Sequence, residues 1–176
     1  MSHLIPLRLA GLVAALVGLV LVGTAGTPAT GLPAWQDTSS SWSHPAAVNP
    51  KVVGLRYAAH PTFDRVVIDL RGRIPSGTTT YRRHFTYDGS GDEVPILGRS
   101  GIQLTLTPAA AHNDAGDNLY TGPTLARPRL RTLKALALTG DFEGQVTFAF
   151  ALTHRAKYRV FELSGPRRLV IDFQHR

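Results

Sequence analysis

Two acidic side chains in one turn are the residues best placed for catalysis. Asp141 and Glu143 stand two positions apart in Gly140-Asp141-Phe142-Glu143-Gly144. Glycosidases act through two carboxyl groups about 5–10 Å apart, so this pair admits a carboxylate-dependent glycan hydrolase. A simpler interpretation makes Asp141 a turn-forming residue and Glu143 a surface charge, and the sequence favours that one.

Other catalytic and metal-binding patterns are weaker. Ser90 lies in Gly89-Ser90-Gly91 rather than in a Gly-x-Ser-x-Gly motif, and capping of a backbone group explains it. The chain has no cysteine, which excludes disulfides, thiolate metal sites and cysteine nucleophiles. Two loops hold loose groups of possible ligands without zinc or EF-hand spacing, and a loose calcium site is the alternative there. These groups are His112, Asp114 and Asp117, and Asp88, Asp92 and Glu93. We therefore expect no enzyme, no catalytic residue, no metal and no cofactor.

One strand motif occurs twice, 103 residues apart, at Arg65-Val66-Val67-Ile68-Asp69-Leu70 and at Arg168-Leu169-Val170-Ile171-Asp172-Phe173. In a β-strand, each copy places its Arg and Asp on the face opposite Val66, Ile68 and Leu70 or their counterparts. The same offset matches Arg56 with Arg159.

Two interpretations of the repeated motif stay open. In the first, Asp69 and Asp172 form structural ion pairs with arginines of neighbouring strands, Arg159 and Arg168 among them, and fix the strand register. In the second, the rows of Arg and Asp form a polar face that binds glycan or peptide groups, since Arg binds carboxylates bidentately.

The elements that position these residues are strands. From residue 52 onward, short alternating runs separated by turn residues predict an all-β fold of about seven to nine strands. The clearest run is 145–153, with large apolar residues on one face and the small residues Thr147, Ala149 and Ala151 on the other, where another segment can approach closely. Together with the repeat, this pattern predicts a small β-sandwich or half-open barrel with two-half pseudo-symmetry. The turn at 88–92 and residues 109–127 of the long connection 108–129 interrupt that symmetry, and we expect specificity there.

The first 29 residues are typical of a signal peptide. Arg8 precedes an apolar run over residues 9–22, and small residues follow it. The run is shorter than the ~20 residues of a membrane-spanning helix, which favours a cleaved signal peptide. The alternative is an uncleaved anchor, which would be the chain's contact with the membrane. The sequence therefore predicts a secreted or cell-envelope protein.

Residues 30–49 are rich in Ser, Thr, Pro, Ala and Gly, which predicts a flexible tether before a domain at 50–176. Trp35 and Trp42 are unusual in such a segment, and we expect them to pack on the domain.

The chain is basic, with a net charge of +7. A basic exported protein suits anionic envelope polymers or acidic lipid surfaces, and we do not expect nucleic acid as a partner. The cationic residues are spread along the sequence rather than clustered, which favours a general solubility role for the charge.

Four motifs in order resemble the AMIN-like domain of secreted actinobacterial envelope proteins. They are Arg56-Tyr57-Ala58-Ala59-His60-Pro61-Thr62-Phe63-Asp64-Arg65-Val66-Val67-Ile68-Asp69, Asp88-Gly89-Ser90-Gly91, Gly140-Asp141-Phe142-Glu143-Gly144 and Pro166-Arg167-Arg168-Leu169-Val170-Ile171-Asp172. The related AMIN domain is a β-sandwich that targets amidases and secretin components to the envelope. The resemblance therefore implies a non-enzymatic module that binds peptidoglycan or another wall polymer, and a scaffold domain of an envelope protein complex is the alternative.

Eight residues are the candidate ligand contacts of such a module. They are Arg56, Tyr57, Arg65, Asp88, Ser90, Tyr120, Asp141 and Glu143.

Overall fold

The computed structural model describes residues 31–45 and 50–176, and the fold is that of the compact unit Leu32–Arg176. The signal peptide predicted over residues 1–29 lies outside the described residues. Ten strands form the unit: β1 (Ser40–Trp42), β2 (Lys51–Ala59), β3 (Phe63–Arg71), β4 (Ser76–Arg82), β5 (Ser100–Thr107), β6 (Leu125–Ala126), β7 (Leu133–Phe142), β8 (Gln145–Leu152), β9 (Tyr158–Ser164) and β10 (Arg167–Gln174). The described residues contain no helix long and apolar enough to cross a membrane.

The strands form two antiparallel sheets, which confirms the predicted all-β sandwich. The larger sheet has the order β1-β4-β5-β8-β7-β6, and the smaller sheet has the order β2-β3-β10-β9. Their facing sides bury the alternating apolar residues of each strand, among them Val66 and Ile68 from β3 and Phe148 and Phe150 from β8. The two-residue period of the sequence thus identified the core faces correctly.

A second, smaller core lies on the outer face of the larger sheet. Phe85, Val94 and Ile96, from the segment between β4 and β5, are buried against four alanines of β7 and β8. Those alanines are Ala135, Ala137, Ala149 and Ala151. Their small side chains leave room for the covering segment, and Gly101 of β5 lies so close to the Phe85 ring that a Cβ there would overlap it. The close approach expected at this face is confirmed.

The two copies of the repeated motif are β3 and β10, and they are antiparallel neighbours at the centre of the smaller sheet. Val67 faces Val170 at the midpoint of the pairing, so Arg65 lies opposite Asp172 and Asp69 lies opposite Arg168. The hairpins β2–β3 and β9–β10 are thereby related by a local two-fold axis. The inner four strands of the larger sheet, β4-β5-β8-β7, have the same palindromic arrangement of two hairpins.

Residues 32–45, which we call the strap, pack on the domain, which corrects the flexible tether predicted for residues 30–49 in this part of it. Residues 30 and 46–49 of the predicted tether lie outside the described residues. Backbone hydrogen bonds of 2.8 Å join Gln36 to Tyr158 of β9 in both directions, and β1 pairs with β4. The strap is therefore hydrogen-bonded to one strand of each sheet. Trp42 donates from Nε1 to the carbonyl of Pro75 at 3.0 Å and covers Gly77, where a Cβ would overlap the indole. The expectation that the tryptophans pack on the domain is confirmed for Trp42 here and for Trp35 below.

Candidate functional site

The buried carboxylate of Asp172 organises the outer face of the smaller sheet. Arg65 donates to it from Nε at 2.6 Å and from Nη2 at 2.9 Å, and Arg159 donates from Nε at 2.8 Å. The hydrogen bond with Asp172 raises the pKa of Arg65, against the opposing effect of burial. The carboxylate is fully buried, so the network holds β3, β9 and β10 together from the outer face.

Aromatic rings cover this network. The Arg65 guanidinium lies 5.0 Å from the centre of the Phe63 ring and 5.3 Å from that of Phe161. The Arg159 guanidinium lies 4.3 Å from the centre of the Trp35 ring in the strap. These cation–π contacts leave Arg65 25% exposed and Arg159 11% exposed, so little of either charge is open to a ligand.

The other copy of the motif is built differently. Asp69 accepts a hydrogen bond from Arg56 and is 29% exposed. Arg168, the counterpart of Arg65, donates to the carbonyl of Pro166 at 3.1 Å instead of to Asp69. Arg56 and Asp69 therefore form a surface ion pair, whereas Arg65, Arg159 and Asp172 form a buried network.

The turn carboxylate Asp141 is committed to hydrogen bonds within the domain. Its Oδ1 accepts from the backbone N–H of Ala111 at 2.9 Å, and its Oδ2 lies 2.7 Å from His112 Nδ1. Glu143 is exposed in the turn between β7 and β8, with a φ of 49°. Asp141 thus anchors the long connection 108–129 to the end of β7, which corresponds to its interpretation as a structural turn residue.

Tyr120, one of the predicted ligand contacts, is 5% exposed, packs on Phe148 and donates a hydrogen bond from its hydroxyl to the carbonyl of Pro123. It therefore has little surface for a ligand. Ser90 accepts a hydrogen bond from the backbone N–H of Asp92, as a capping residue does. Asp88 is exposed and its carboxylate contacts Gly140, and Tyr57 is exposed on β2. The structure does not gather the eight predicted contacts into one site.

A different set of side chains does converge, at one end of the larger sheet. In an antiparallel sheet the end of one strand lies beside the beginning of the next. The ends of β4, β8 and β6 therefore lie beside the beginnings of β5 and β7. In the register of the sheet, Arg82 is opposite Gly101. Leu152 is opposite Ser100 on one side and Leu133 on the other. The residues that flank these strand ends are mostly cationic.

Three adjoining cavities of about 440, 270 and 270 Å³ lie at this end. The largest shares Arg99 with the second and Lys134 with the third, so the three lie side by side. We call the cationic side chains that line them the basic rim. They are Arg82, Arg83, Arg99, Arg127, Arg129, Arg131, Lys134, Arg155 and Arg176.

The basic rim holds nine of the 19 Lys and Arg residues of the chain. No Asp or Glu lines the three cavities, and within the described residues no rim cation lies within 4.0 Å of an Asp or Glu carboxylate. The cationic residues are spread along the sequence but clustered in the fold, because strands far apart in sequence bring them together. The interpretation of the charge as dispersed is therefore wrong for the folded domain.

The family model of the AMIN-like domain matches residues 50–175. The chain belongs to the AMIN-like family. AMIN-like domains are generally non-catalytic binding modules of extracytoplasmic envelope proteins, so membership suggests an envelope-associated binding or scaffold module. No curated protein matches the chain. All rim residues except Arg176 lie inside the AMIN-like match, whereas the strap lies before it.

A buried carboxylate of the AMIN-like domain positions part of the basic rim. Asp64 Oδ2 accepts hydrogen bonds from the backbone N–H groups of Thr132 at 2.6 Å and Leu133 at 2.8 Å, and its Oδ1 lies 2.9 Å from His175 Nε2. These bonds fix the start of β7, next to Arg131 and Lys134. Sequence reasoning missed this role of Asp64, because its partners are backbone groups 68 and 69 positions away.

One histidine lies among the rim cations. Burial lowers the pKa of His154, and the neighbouring charges of Arg176 and His175 lower it further. His154 lines the largest cavity, where an anion would favour its protonated form. Among the described residues, no group of three or more His, Cys, Asp or Glu side chains could hold a metal ion.

Proposed function

We propose that this chain is an exported, non-enzymatic cell-envelope module that binds peptidoglycan or another anionic wall polymer along the basic rim. The observation that carries the proposal is the concentration of nine cations around three adjoining cavities, none of them within 4.0 Å of an Asp or Glu carboxylate in the described residues. Cations this close together repel one another, and a bound anion relieves that repulsion. Membership of the AMIN-like family supports the envelope as the setting.

The hydrogen bonds of Asp141, at the end of β7, favour binding over catalysis. Both oxygens of Asp141 are occupied by Ala111 and His112, so this carboxylate is poorly placed to donate a proton to a glycosidic oxygen. The basic rim, in contrast, offers guanidinium groups that can each form two parallel hydrogen bonds to an oxyanion. Such contacts retain a polymer without any covalent step.

Retention on isolated cell walls tests the proposal. We expect the double variant Arg99→Glu/Lys134→Glu to bind walls about tenfold or more weakly than the unchanged protein, because it reverses two charges shared between cavities. Both residues are exposed, so the fold should not suffer. The matched control is Arg71→Glu/Arg73→Glu, which makes the same charge change at two exposed residues. Arg71 is the last residue of β3 and Arg73 follows it closely, at the end of the strand away from the rim.

The control variant should bind within about twofold of the unchanged protein, since its residues lie away from the rim. Equal retention of the rim variant and the unchanged protein would contradict the proposal. Failure of the unchanged protein to bind walls, together with one defined protein partner in crosslinking, would support the scaffold alternative instead.

A further inference from the structure

We infer that the basic rim is a track for a linear polymer with repeated phosphate groups, rather than a pocket for one small anion or a site for a polymer of mixed charge. The inference rests on the proposed function and specifies the chemistry of its ligand. Three features of the rim support it.

The first feature is the linear order of the cations. They flank the ends of β4, β5, β8, β7 and β6, which are consecutive neighbours in the larger sheet. Adjacent strands lie about 4.8 Å apart, so four spacings give the rim a span of roughly 19 Å. Because Arg99 and Lys134 each line two of the cavities, the three lie side by side and one extended chain can contact all of them. A single phosphate would fill only part of this span.

The second feature is the uniform sign of the lining. A polymer with both carboxylate and ammonium groups, such as a cross-linked peptide, needs acidic partners for its ammonium groups, and the three cavities offer none. Eight of the nine rim cations are arginines. The fork of a guanidinium matches the oxygen pair of a phosphate group, as it does that of a carboxylate. A row of such forks without acidic neighbours suits a chain whose anionic groups are not accompanied by ammonium groups, as in a phosphate polymer.

The third feature is that neutral groups hold two of these arginines in place. Arg127 donates to the carbonyl of Pro95 at 2.5 Å, and Arg155 donates to the carbonyl of Asp37 at 2.7 Å while its guanidinium lies 3.7 Å from the centre of the Tyr81 ring. Carbonyl oxygens and rings orient a guanidinium without cancelling its charge. Arg65 and Arg159, by comparison, share the carboxylate of Asp172. Arg127 and Arg155 are thus positioned without a neutralising carboxylate, which is what an anion-binding site requires.

Competition with defined polyanions tests the chemistry. Inorganic triphosphate, a long inorganic polyphosphate chain that spans the rim, and poly-glutamate of equal charge are each titrated against the purified protein. We expect the long polyphosphate to bind at least about tenfold more tightly than triphosphate, because contacts along one chain reinforce each other. We also expect it to bind more tightly than poly-glutamate, and the Arg99→Glu/Lys134→Glu variant to lose this preference.

Isolated walls with and without their phosphate polymers separate this inference from the proposed function. Walls stripped of phosphate polymers by acid should retain about tenfold less protein than intact walls. Equal retention on stripped and intact walls would overturn the inference while leaving wall binding in place, whereas no retention on either would overturn both. Equal affinity for triphosphate and the long chain, equal affinity for poly-glutamate, or tighter binding to anionic lipid vesicles than to polyphosphate would also overturn it.

Discussion

Asp69 and Asp172 occupy equivalent positions of the repeated strand, yet Asp172 is fully buried between Arg65 and Arg159 whereas Asp69 is 29% exposed and pairs with Arg56. Comparing the two aspartates therefore shows how much burial changes the contribution of an ion pair to the free energy of unfolding. A buried ion pair that loses one member leaves uncompensated charge, while an exposed pair contributes little.

Replacing each aspartate by asparagine should accordingly have unequal effects. Asp172→Asn should lower the free energy of unfolding by about 3 kcal/mol, because two guanidinium groups lose a buried partner. Asp69→Asn should cost less than about 1 kcal/mol. Urea unfolding of both variants measures the difference, and equal losses would show that the buried network has no special role.

A second prediction concerns Asp64, which joins β3 to the start of β7. Asp64→Ala leaves the buried N–H groups of Thr132 and Leu133 without an acceptor, so we expect a loss of roughly 3 kcal/mol in unfolding free energy. Hydrogen exchange at these two amides should accelerate, and affinity for polyphosphate should fall because β7 begins next to Arg131 and Lys134. Asp92→Ala, at an exposed position, is the control. Unchanged exchange at both amides would refute the assigned role.

The strap provides a third prediction. Trp35 and Trp42 are the two tryptophans of the chain, so selectively excited tryptophan fluorescence reports on the strap alone. Gly77→Ala introduces a Cβ that overlaps the Trp42 indole, and we expect a red shift of the emission as Trp42 is displaced towards water. Gly89→Ala, where a Cβ meets nothing within 4 Å, should leave the spectrum unchanged. Identical spectra for the two variants would argue against the packing of Trp42 on β4.

The pH dependence of binding is a fourth prediction. In the free protein, burial and the charges of Arg176 and His175 lower the pKa of His154, so its neutral form persists to lower pH than in an ordinary histidine. A bound polyanion favours the protonated form, and binding therefore takes up a proton and strengthens as the pH falls. The charged and titratable groups around it are Arg99, Arg131, Lys134, His175 and Arg176.

Calorimetry should show tighter polyphosphate binding at about pH 5.5 than at about pH 7.5. The same depressed pKa makes the unfolded chain bind more protons near and below 6.5, so the free protein should lose stability as the pH falls through this range. His154→Gln should flatten most of the pH dependence of binding. If the variant keeps the full dependence, His154 is not the group that titrates.

The sequence predicted the fold better than the candidate site, for a physical reason. Alternation along one strand, as at Val66, Ile68 and Leu70, is a local property that determines which side is buried. The strap was less predictable, because its composition is polar and the contacts of Trp35 and Trp42 are with residues distant in sequence.

The basic rim depends on the order of strands in the sheet. Arg82, Arg99 and Arg155 are far apart in the chain and meet because antiparallel neighbours alternate in direction. The signal that could have found them is the position of each arginine at a predicted strand end, considered together with the direction of that strand.

The salt dependence of wall binding tests the central claim most directly. Affinities of the unchanged protein, Arg99→Glu/Lys134→Glu and Arg71→Glu/Arg73→Glu for isolated walls are measured over a range of salt concentrations. If the rim binds the polymer, the affinity of the unchanged protein falls steeply as the salt concentration rises. The Arg99→Glu/Lys134→Glu variant then has a weaker affinity that depends less on salt, and the Arg71→Glu/Arg73→Glu variant behaves like the unchanged protein. Equal slopes and affinities for the unchanged protein and the rim variant would contradict the account.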